Sequence, residues 1–282
     1  MTEGRFEMKY ALPAERREEI LARAAAHVQV GAFAQDLSTM PGIRCSPGSP
    51  PVLGYRVHSL YFDSPELHGY GLRLADAEIR NRLRIRTYGD PGQDAPVFME
   101  AKRKLHKVVV KHRVMACTMG QYAGFDAHQP WRDAVLALSG PKARIGQRWL
   151  AALEQGGMVP VCITHYVREV WEDGGARLTL DHLVRASGGE RPGELQRLGE
   201  VPLIPEDWIV LELKYNDSAP HWMRLLVRDL GLRAEPVSKF ALAVARTVRQ
   251  DAPAELLRLT PPSVLRAGRA FVRQELLAGA AR

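Results

Sequence analysis

The stretch 80-RNRLRIRTY-88 carries an arginine at every second position, and this spacing decides how the fold is interpreted. Alternate side chains of a β-strand point to the same face, so Arg84 and Arg86 would share one face. Leu83 and Ile85 would pack on the other. Like charges this close repel each other, and a fold tolerates them most easily when an anion lies across them. Because guanidinium groups are forked donors that suit phosphate oxygens, the stretch predicts a strand that faces a polyanionic ligand.

The same alternation of charged and apolar residues recurs along the chain. In 5-RFEMKY-10, Glu7 and Lys9 share a face, and in 208-WIVLELKYN-216, Glu212 and Lys214 do so. Further stretches of this kind lie at 97–104, 107–114, 164–171 and 177–184, and 52-VLGYRVHSLYF-62 brings the candidate strands to eight. The chain therefore predicts a β-rich domain whose strands each have one charged face.

Two arrangements would bury the apolar faces of these strands. An open sheet would pack them against helices and expose the charges to water. A closed barrel would turn the charges inward, pack the apolar faces outward under helices, and remove the sheet edges. Barrels of about eight strands have interiors that hold a small ligand. The alternation alone is compatible with both.

The bulk properties narrow the class of protein. The chain has 282 residues and a formal net charge of +7, which favours acidic partners without separating nucleic acid from nucleotide or polyphosphate. No apolar stretch is long enough for a membrane span, and the charged start does not resemble a signal peptide. Cys45, Cys117 and Cys162 are scattered and odd in number, so we expect reduced thiols in a cytoplasmic protein.

The pattern predicts a main domain with helices around the strands. Residues 1–250 would form this domain, and residues 251–282 would form a C-terminal helical extension. Helices are predicted at 13–28, at 130–155 with a break at Gly140-Pro141, at 220–230 and at 238–250. Residues 38–54 and 185–206 are rich enough in glycine and proline to form loops.

Several short motifs resemble one known family. The chain resembles the catalytic domain of the vacuolar transporter chaperone (VTC) family, the polyphosphate polymerases, within the triphosphate tunnel metalloenzymes. The resemblance covers roughly residues 4–246, and nine segments occur in family order. They are RFEMKY at 5–10, SLYFDSPEL at 59–67, RLRIR at 82–86, MEAKRK at 99–104, VKHRV at 110–114, YVRE at 166–169, RLTLD at 177–181, VLELKY at 210–215 and SKF at 238–240.

The resemblance implies a fold, a ligand and a site. It implies an α+β fold in which an eight-stranded antiparallel β-barrel with a basic interior forms a tunnel, decorated by helices. It also implies that this tunnel binds a nucleoside triphosphate or polyphosphate together with Mn²⁺ or Mg²⁺. The implied phosphate-binding residues are Lys9, Arg84, Arg86, Lys102, Lys111, Arg113, Arg168, Arg177, Lys214 and Lys239. The implied catalytic residues are Lys9, Arg84, Arg86, Lys111 and Glu212, and Glu212 is the implied metal ligand.

Two positions depart from the family pattern. Arg5 stands where the wider tunnel group often has a glutamate, as the VTC branch would suggest. Pro236 stands where the eukaryotic polymerase has a second lysine, which removes one cationic contact. These departures make phosphate binding a firmer expectation than polymerase activity.

Some residues keep more than one interpretation. Glu212 would hold a metal ion or form an ion pair with a neighbouring Arg or Lys. Asp181 would be a second metal ligand or, as we favour, an anchor for Arg168 or Arg177. The roles of Glu7 and Glu100 stay open. Arg80 and Arg82 would lie at a tunnel mouth or face solvent, and they are left out of the predicted site.

The leading functional hypothesis is a metal-dependent polyphosphate polymerase that moves the γ-phosphate of ATP onto a growing chain. A triphosphate hydrolase would use the same tunnel with water as acceptor, and a third possibility is a non-catalytic protein that binds polyphosphate or nucleotide. The expected partners are ATP or another triphosphate and polyphosphate, while a membrane-protein partner stays open. Nucleic acid is not expected, because the charged faces contain few aromatic residues for base stacking.

Overall fold

A computed structural model of the chain describes residues 5–45, 48–89, 92–106, 108–189, 193–196 and 199–267. Lys107, at the start of one predicted strand, lies outside these ranges. The same is true of residues 268–282 in the predicted C-terminal extension. In the described part of the chain, no helix is both long and apolar enough to cross a membrane.

In the ranges that the structure describes, the strands form one antiparallel sheet of eleven strands. The eight long strands are β1 (Arg5–Pro13), β4 (Leu53–Asp63), β5 (Ile79–Tyr88), β6 (Pro96–Leu105), β7 (Val108–Thr118), β8 (Val159–Glu172), β9 (Ala176–Gly188) and β11 (Trp208–Asn216). They follow the order β1-β11-β9-β8-β4-β5-β6-β7. The short strands β2 (Gln29–Val30), β3 (Gln35–Asp36) and β10 (Val201–Pro202) pair at the flanks of this path. All eight predicted strands are therefore present.

The sheet is strongly curled. Strands β1 and β6 are six strand spacings apart in the sheet order, so a flat sheet would separate them by about 29 Å. Glu7 on β1 and Lys102 on β6 nevertheless form an ion pair of 3.7 Å between Oε2 and Nζ. Their side chains meet across the hollow of the sheet, and we call the face that carries them the concave face.

The predicted closure into a barrel is wrong. Within the described ranges, β1 pairs only with β11 and β7 pairs only with β6, so both strands are edges of an open sheet. Closure would bring the row containing Lys9 on β1 beside the row containing Lys111 and Arg113 on β7. The cations Lys9, Lys111 and Arg113 would repel each other in such a pairing, and Glu7 is the one carboxylate of the Lys9 row. The alternation correctly assigned the face of each strand, but it carries no information about curvature.

Helices cover the convex face in two groups. Helices α1 (Arg17–Ala24) and α6 (His221–Asp229) pack on β1, β9 and β11, where Ile20 and Met223 lie in one core with Leu211. Helices α3 (Met119–Ala123), α4 (Pro130–Leu136) and α5 (Gly140–Gln155) cover β4 to β7, with Trp149 beside Ile85. The predicted break at Gly140-Pro141 is confirmed, because α5 starts at Gly140 with a proline in its first turn.

A third core fills part of the concave face. Helix α7 (Lys239–Thr247) is almost wholly buried, and its residues Leu242 and Val244 pack with Val184 and Val210 of the sheet. Helices α2 (His68–Leu74), α8 (Pro253–Leu259) and α9 (Pro262–Ala267) contribute to the same core through Tyr70, Leu256 and Val264. The remainder of the concave face carries the charged side chains.

Candidate functional site

Glu212 lies at the centre of a buried charge cluster on the concave face. The side chain is only 4% exposed, and both of its oxygens are shared between cations. Oε1 lies 3.2 Å from the Nζ of Lys9 and accepts from the Nζ of Lys239 at 3.1 Å. Oε2 accepts from the Nζ of Lys214 at 2.6 Å and from the Nη2 of Arg168 at 3.2 Å. Burial favours the neutral carboxyl, but the surrounding cations dominate and hold the pKa of Glu212 well below its usual range.

Asp181 forms the second buried carboxylate of this cluster. It accepts two hydrogen bonds from Arg168, at 2.6 Å from Nε and 2.7 Å from Nη2, and it lies 2.5 Å from the Nζ of Lys239. The register places Asp181 opposite Arg168 across β9 and β8, so the two side chains share the concave face. This bidentate geometry fixes the orientation of the Arg168 guanidinium.

Lys239 reaches the cluster from a helix rather than from a strand. It is the first residue of α7, and the helix start is capped by the Ser238 Oγ, which accepts from the Ala241 amide at 3.3 Å. Burial lowers the pKa of Lys239, but Asp181 and Glu212 outweigh burial and raise it. The amine is therefore a fixed positive charge. Its position depends on how α7 packs into the curled sheet.

Glu100 on β6 is the centre of a second set of ion pairs. Its Oε2 accepts from the Nε of Arg84 at 2.6 Å, and its Oε1 lies 2.8 Å from the Nζ of Lys111 and 3.4 Å from the Nε of Arg113. The register explains this set, because Arg84 on β5 and Arg113 on β7 are the direct partners of Glu100. Burial opposes ionisation, but the neighbouring cations lower the pKa of Glu100 far more.

Tyr61 faces the arginines of β5. Its hydroxyl oxygen accepts a hydrogen bond of 3.2 Å from the Nη1 of Arg84. Burial raises the pKa of Tyr61, but the positive charges of Arg84, Arg86 and Arg82 outweigh it and lower the pKa to about 8. An ordinary tyrosine titrates near pH 10. The lowered value shows how strongly positive this part of the concave face is.

Glu7 connects the two sets of charges. Its oxygens lie 3.3 Å from the Nζ of Lys9, 3.6 Å from that of Lys214 and 3.7 Å from that of Lys102. Lys102 is about half exposed, so this contact lies where the sheet remains open. Glu7 and Glu100 are thus ion-pair partners of the predicted phosphate-binding residues.

Arg177 lies apart from the shared network. It pairs with Glu172 at 2.6 Å, and both side chains are 41% exposed. The structure thus brings Lys9, Lys102, Lys214 and Lys239 together, but leaves Arg177 outside them.

Two arginines of β5 have no carboxylate partner among the residues that the structure describes. Arg86 is buried and donates from Nε to the Ser59 Oγ at 2.8 Å. Arg82 stacks over the Phe240 ring at 4.3 Å from its centroid, and burial lowers its pKa to about 10. Arg82 was not among the residues predicted from the sequence to form the site. Its position two residues before Arg84 places both side chains on the same face of β5, and this spacing could have identified it.

The arrangement can hold several phosphate groups, because ammonium and guanidinium donors converge on one face. It is not a metal site built from protein ligands alone: across the described residues, no group of three or more His, Cys, Asp and Glu side chains is placed to hold a metal. The donor set does fit a metal that arrives with phosphate. Mg²⁺ is usually bound by one or two carboxylates together with phosphate oxygens and water, and Glu212 is such a carboxylate.

Comparisons with known proteins place this chain in a family. The family model described as the VTC domain matches residues 4–248. A search of curated proteins finds no match.

Matches among solved structures have low sequence identity. The PH1819 protein of Pyrococcus horikoshii is 15% identical, with a TM-score of 0.39, over 84% of this chain and 97% of its own. A proposed adenylate cyclase from Vibrio parahaemolyticus is 11% identical, with a TM-score of 0.42, over 86% of this chain and 98% of its own. A conserved hypothetical protein from Pyrococcus furiosus is 12% identical, with a TM-score of 0.39, over 84% and 99%.

Proposed function

Since this chain belongs to the VTC domain family, we propose that its concave face binds a triphosphate or polyphosphate and that the protein transfers the γ-phosphate of ATP to a polyphosphate chain. The observation that carries the proposal is the surplus of cations around each carboxylate. Glu212 is shared by four of them, and Glu100 and Glu7 by three each. Arg82 and Arg86 add further positive charge, and neither forms an ion pair with a carboxylate among the described residues. Such a face is complementary to a chain of phosphates.

The chemistry fits phosphoryl transfer. This reaction depends on positioning and on charge neutralisation rather than on a covalent protein nucleophile. Arg84, Arg86 and Lys111 would hold the reacting phosphate from the β5 to β7 side of the concave face. Lys9, on β1, would bind it from the opposite wall. The carboxylates orient these donors before the ligand arrives, so little side-chain ordering remains to be done on binding.

Glu212 is the residue that would hold Mn²⁺ or Mg²⁺ beside the phosphates. When bound, the metal would supply Lewis-acid polarisation of phosphate oxygens. Lys214 and Lys9 now neutralise the Glu212 carboxylate. Their flexible ammonium groups can turn towards phosphate instead, which keeps the local charge balanced.

The test uses the full chain with ATP and Mn²⁺, with long polyphosphate and free phosphate measured in the same samples. We expect long chains to form, and we expect Glu212→Gln to abolish their formation. Glu154→Gln is the matched control, because Glu154 lies on the convex side, where it pairs with Arg132. Its activity should equal that of the unmodified protein.

Other outcomes would overturn the transfer activity in distinct ways. Free phosphate without chains would identify a triphosphate hydrolase. Tight binding of ATP with neither product would identify a binding protein. Equal chain formation by Glu212→Gln and Glu154→Gln would remove Glu212 from the mechanism.

A further inference from the structure

A row of aromatic rings crosses three strands beside the charged cluster. Tyr55 on β4, Tyr88 on β5 and Phe98 on β6 form this aromatic row. Tyr55 and Tyr88 have ring centroids 5.7 Å apart at 78°, and Tyr88 and Phe98 are 5.7 Å apart at 74°. All three side chains are partly exposed. The row lies on the concave face, because Tyr55 and Tyr88 pack against the core there.

Phe98 is not explained by packing under the helices. Its neighbours Val97 and Met99 are 0% and 1% exposed and belong to the convex core. Phe98 points the other way, onto the face that carries Glu100. The Arg113 guanidinium lies 3.6 Å from the Phe98 ring centroid. A partly exposed aromatic ring therefore stands among cations that the proposed function assigns to phosphate.

The direction in which the row extends from Glu100 suits a nucleotide. Phe98 precedes Glu100 by two residues and is the register partner of Arg86, and Tyr88 follows Arg86 by two residues. The row therefore begins beside Arg86 and extends about 7 Å along the strands, away from Glu100. A ligand whose phosphates contact Arg86 and the Glu100 cations would thus reach the row with the groups attached beyond its phosphates. In ATP these groups are the ribose and the base.

We propose that the aromatic row is a nucleobase subsite, so that the concave face binds nucleoside triphosphates in preference to inorganic triphosphate. This inference rests on the proposed function and names the residues that would hold the base of its nucleotide substrate. The base would stack on the exposed part of the row, and Arg113 would contribute a cation–π contact. Because every base has a π face, the subsite would distinguish bases only weakly.

The test measures the affinities of a non-hydrolysable ATP analogue and of inorganic tripolyphosphate by titration calorimetry, at one salt and metal concentration. Phe98→Ala should weaken binding of the ATP analogue by about 5- to 100-fold and that of tripolyphosphate by less than about twofold. Phe98→Trp should retain ATP binding. Phe98→Leu keeps an apolar side chain without a ring, so it should behave like Phe98→Ala, and it serves if the alanine variant does not fold.

Phe6→Ala is the matched control. Phe6 is a half-exposed aromatic residue in β1, but it lies on the other face of the sheet, where it stacks on Tyr215 at 5.5 Å. Its affinities for both ligands should be unchanged.

Two other results would contradict the proposed nucleobase subsite. If Phe98→Ala lost affinity equally for both ligands, Phe98 would only support Arg113 in phosphate binding. Unchanged ATP binding in Phe98→Ala and Phe98→Leu would mean that the base does not reach the row. In both cases the proposed phosphate site stands. If the unmodified protein binds neither ligand, the proposed function itself fails.

Discussion

At the scale of single residues, neighbouring positions of β5 have opposite roles. Arg84 points into the concave face, where it binds Glu100 and Tyr61. Ile85, the next residue, is 0% exposed in the convex core. Phosphate oxygens can take the place of the carboxylate that pairs with Arg84. The packing contacts of Ile85 have no such substitute, so they are lost when the side chain is shortened. Substitutions at the two positions should therefore affect different properties.

Arg84→Ala should weaken tripolyphosphate binding by about 1.5–3 kcal/mol, the contribution of a charge-assisted hydrogen bond. Arg84→Lys keeps the charge but loses the forked donor, so it should restore this binding only in part. Ile85→Ala should instead lower the free energy of unfolding by about 2–5 kcal/mol. Calorimetric titration and denaturant unfolding measure the two effects. Normal binding by Arg84→Ala together with full stability of Ile85→Ala would show that the faces are reversed.

At the scale of elements, the contact between β4 and β8 buries a pair of histidines. His58 and His165 are register partners with ring centroids 4.7 Å apart, and they are 0% and 2% exposed. Burial, with repulsion from the neighbouring ring and from Arg56, lowers the pKa of His58 to about 3. Burial, with Arg56 and Arg185, lowers that of His165 to about 4. Both rings are thus neutral in the folded protein at neutral pH.

This pair should make the fold sensitive to acid. The unfolded chain binds protons at these histidines near pH 6.5, whereas the folded chain does so only near pH 3 to 4, so stability is complete above pH 6.5 and falls as the pH decreases. The expected slope between pH 6.5 and 4 is about 1.4 kcal/mol per pH unit for each histidine. His165→Gln should remove about half of this slope. Denaturant unfolding at several pH values measures it, and equal slopes in both proteins would contradict the assignment.

At the scale of the whole molecule, the chain after residue 250 completes the core on the concave side. Leu256, Leu259 and Val264 are 7%, 6% and 0% exposed and pack in the core that contains α7. The Ser263 Oγ donates to the Ala11 carbonyl of β1 at 3.1 Å. The division between residues 1–250 and 251–282 stays a prediction. If the chain were cut there, these contacts and the stability that they contribute would be lost.

A chain that ends at Gln250 should be less stable than one that ends at Ala267. It would lose the burial of those three aliphatic side chains, each worth about 1.5–3 kcal/mol. The Lys239 side chain should also be held less firmly against Asp181, because one side of α7 would no longer be covered. Denaturant unfolding and tripolyphosphate titration of the two chains measure these effects. If the two chains had the same unfolding midpoint and the same affinity for tripolyphosphate, residues 251–267 would be an independent extension.

The sequence by itself determined the strands, their faces and most of the charged residues of the site. The period of two is a local property of the extended backbone, so Arg84, Lys111 and Glu212 could be assigned to one kind of face before any pairing was known. The break before α5 was likewise predictable, because glycine and proline act on the backbone where they stand.

Only the tertiary structure decided how these faces meet. Curvature and edge pairing arise from contacts between residues far apart in the chain, as between Glu7 and Lys102, so the open edge between β1 and β7 could not be read from the alternation. The entry of Lys239 from α7 and the inclusion of Arg82 beside Phe240 depend on where one helix packs in the hollow. The ion pair between Glu7 and Lys102 is a property of the curled sheet, because only curling brings side chains from such distant strands within ion-pair distance.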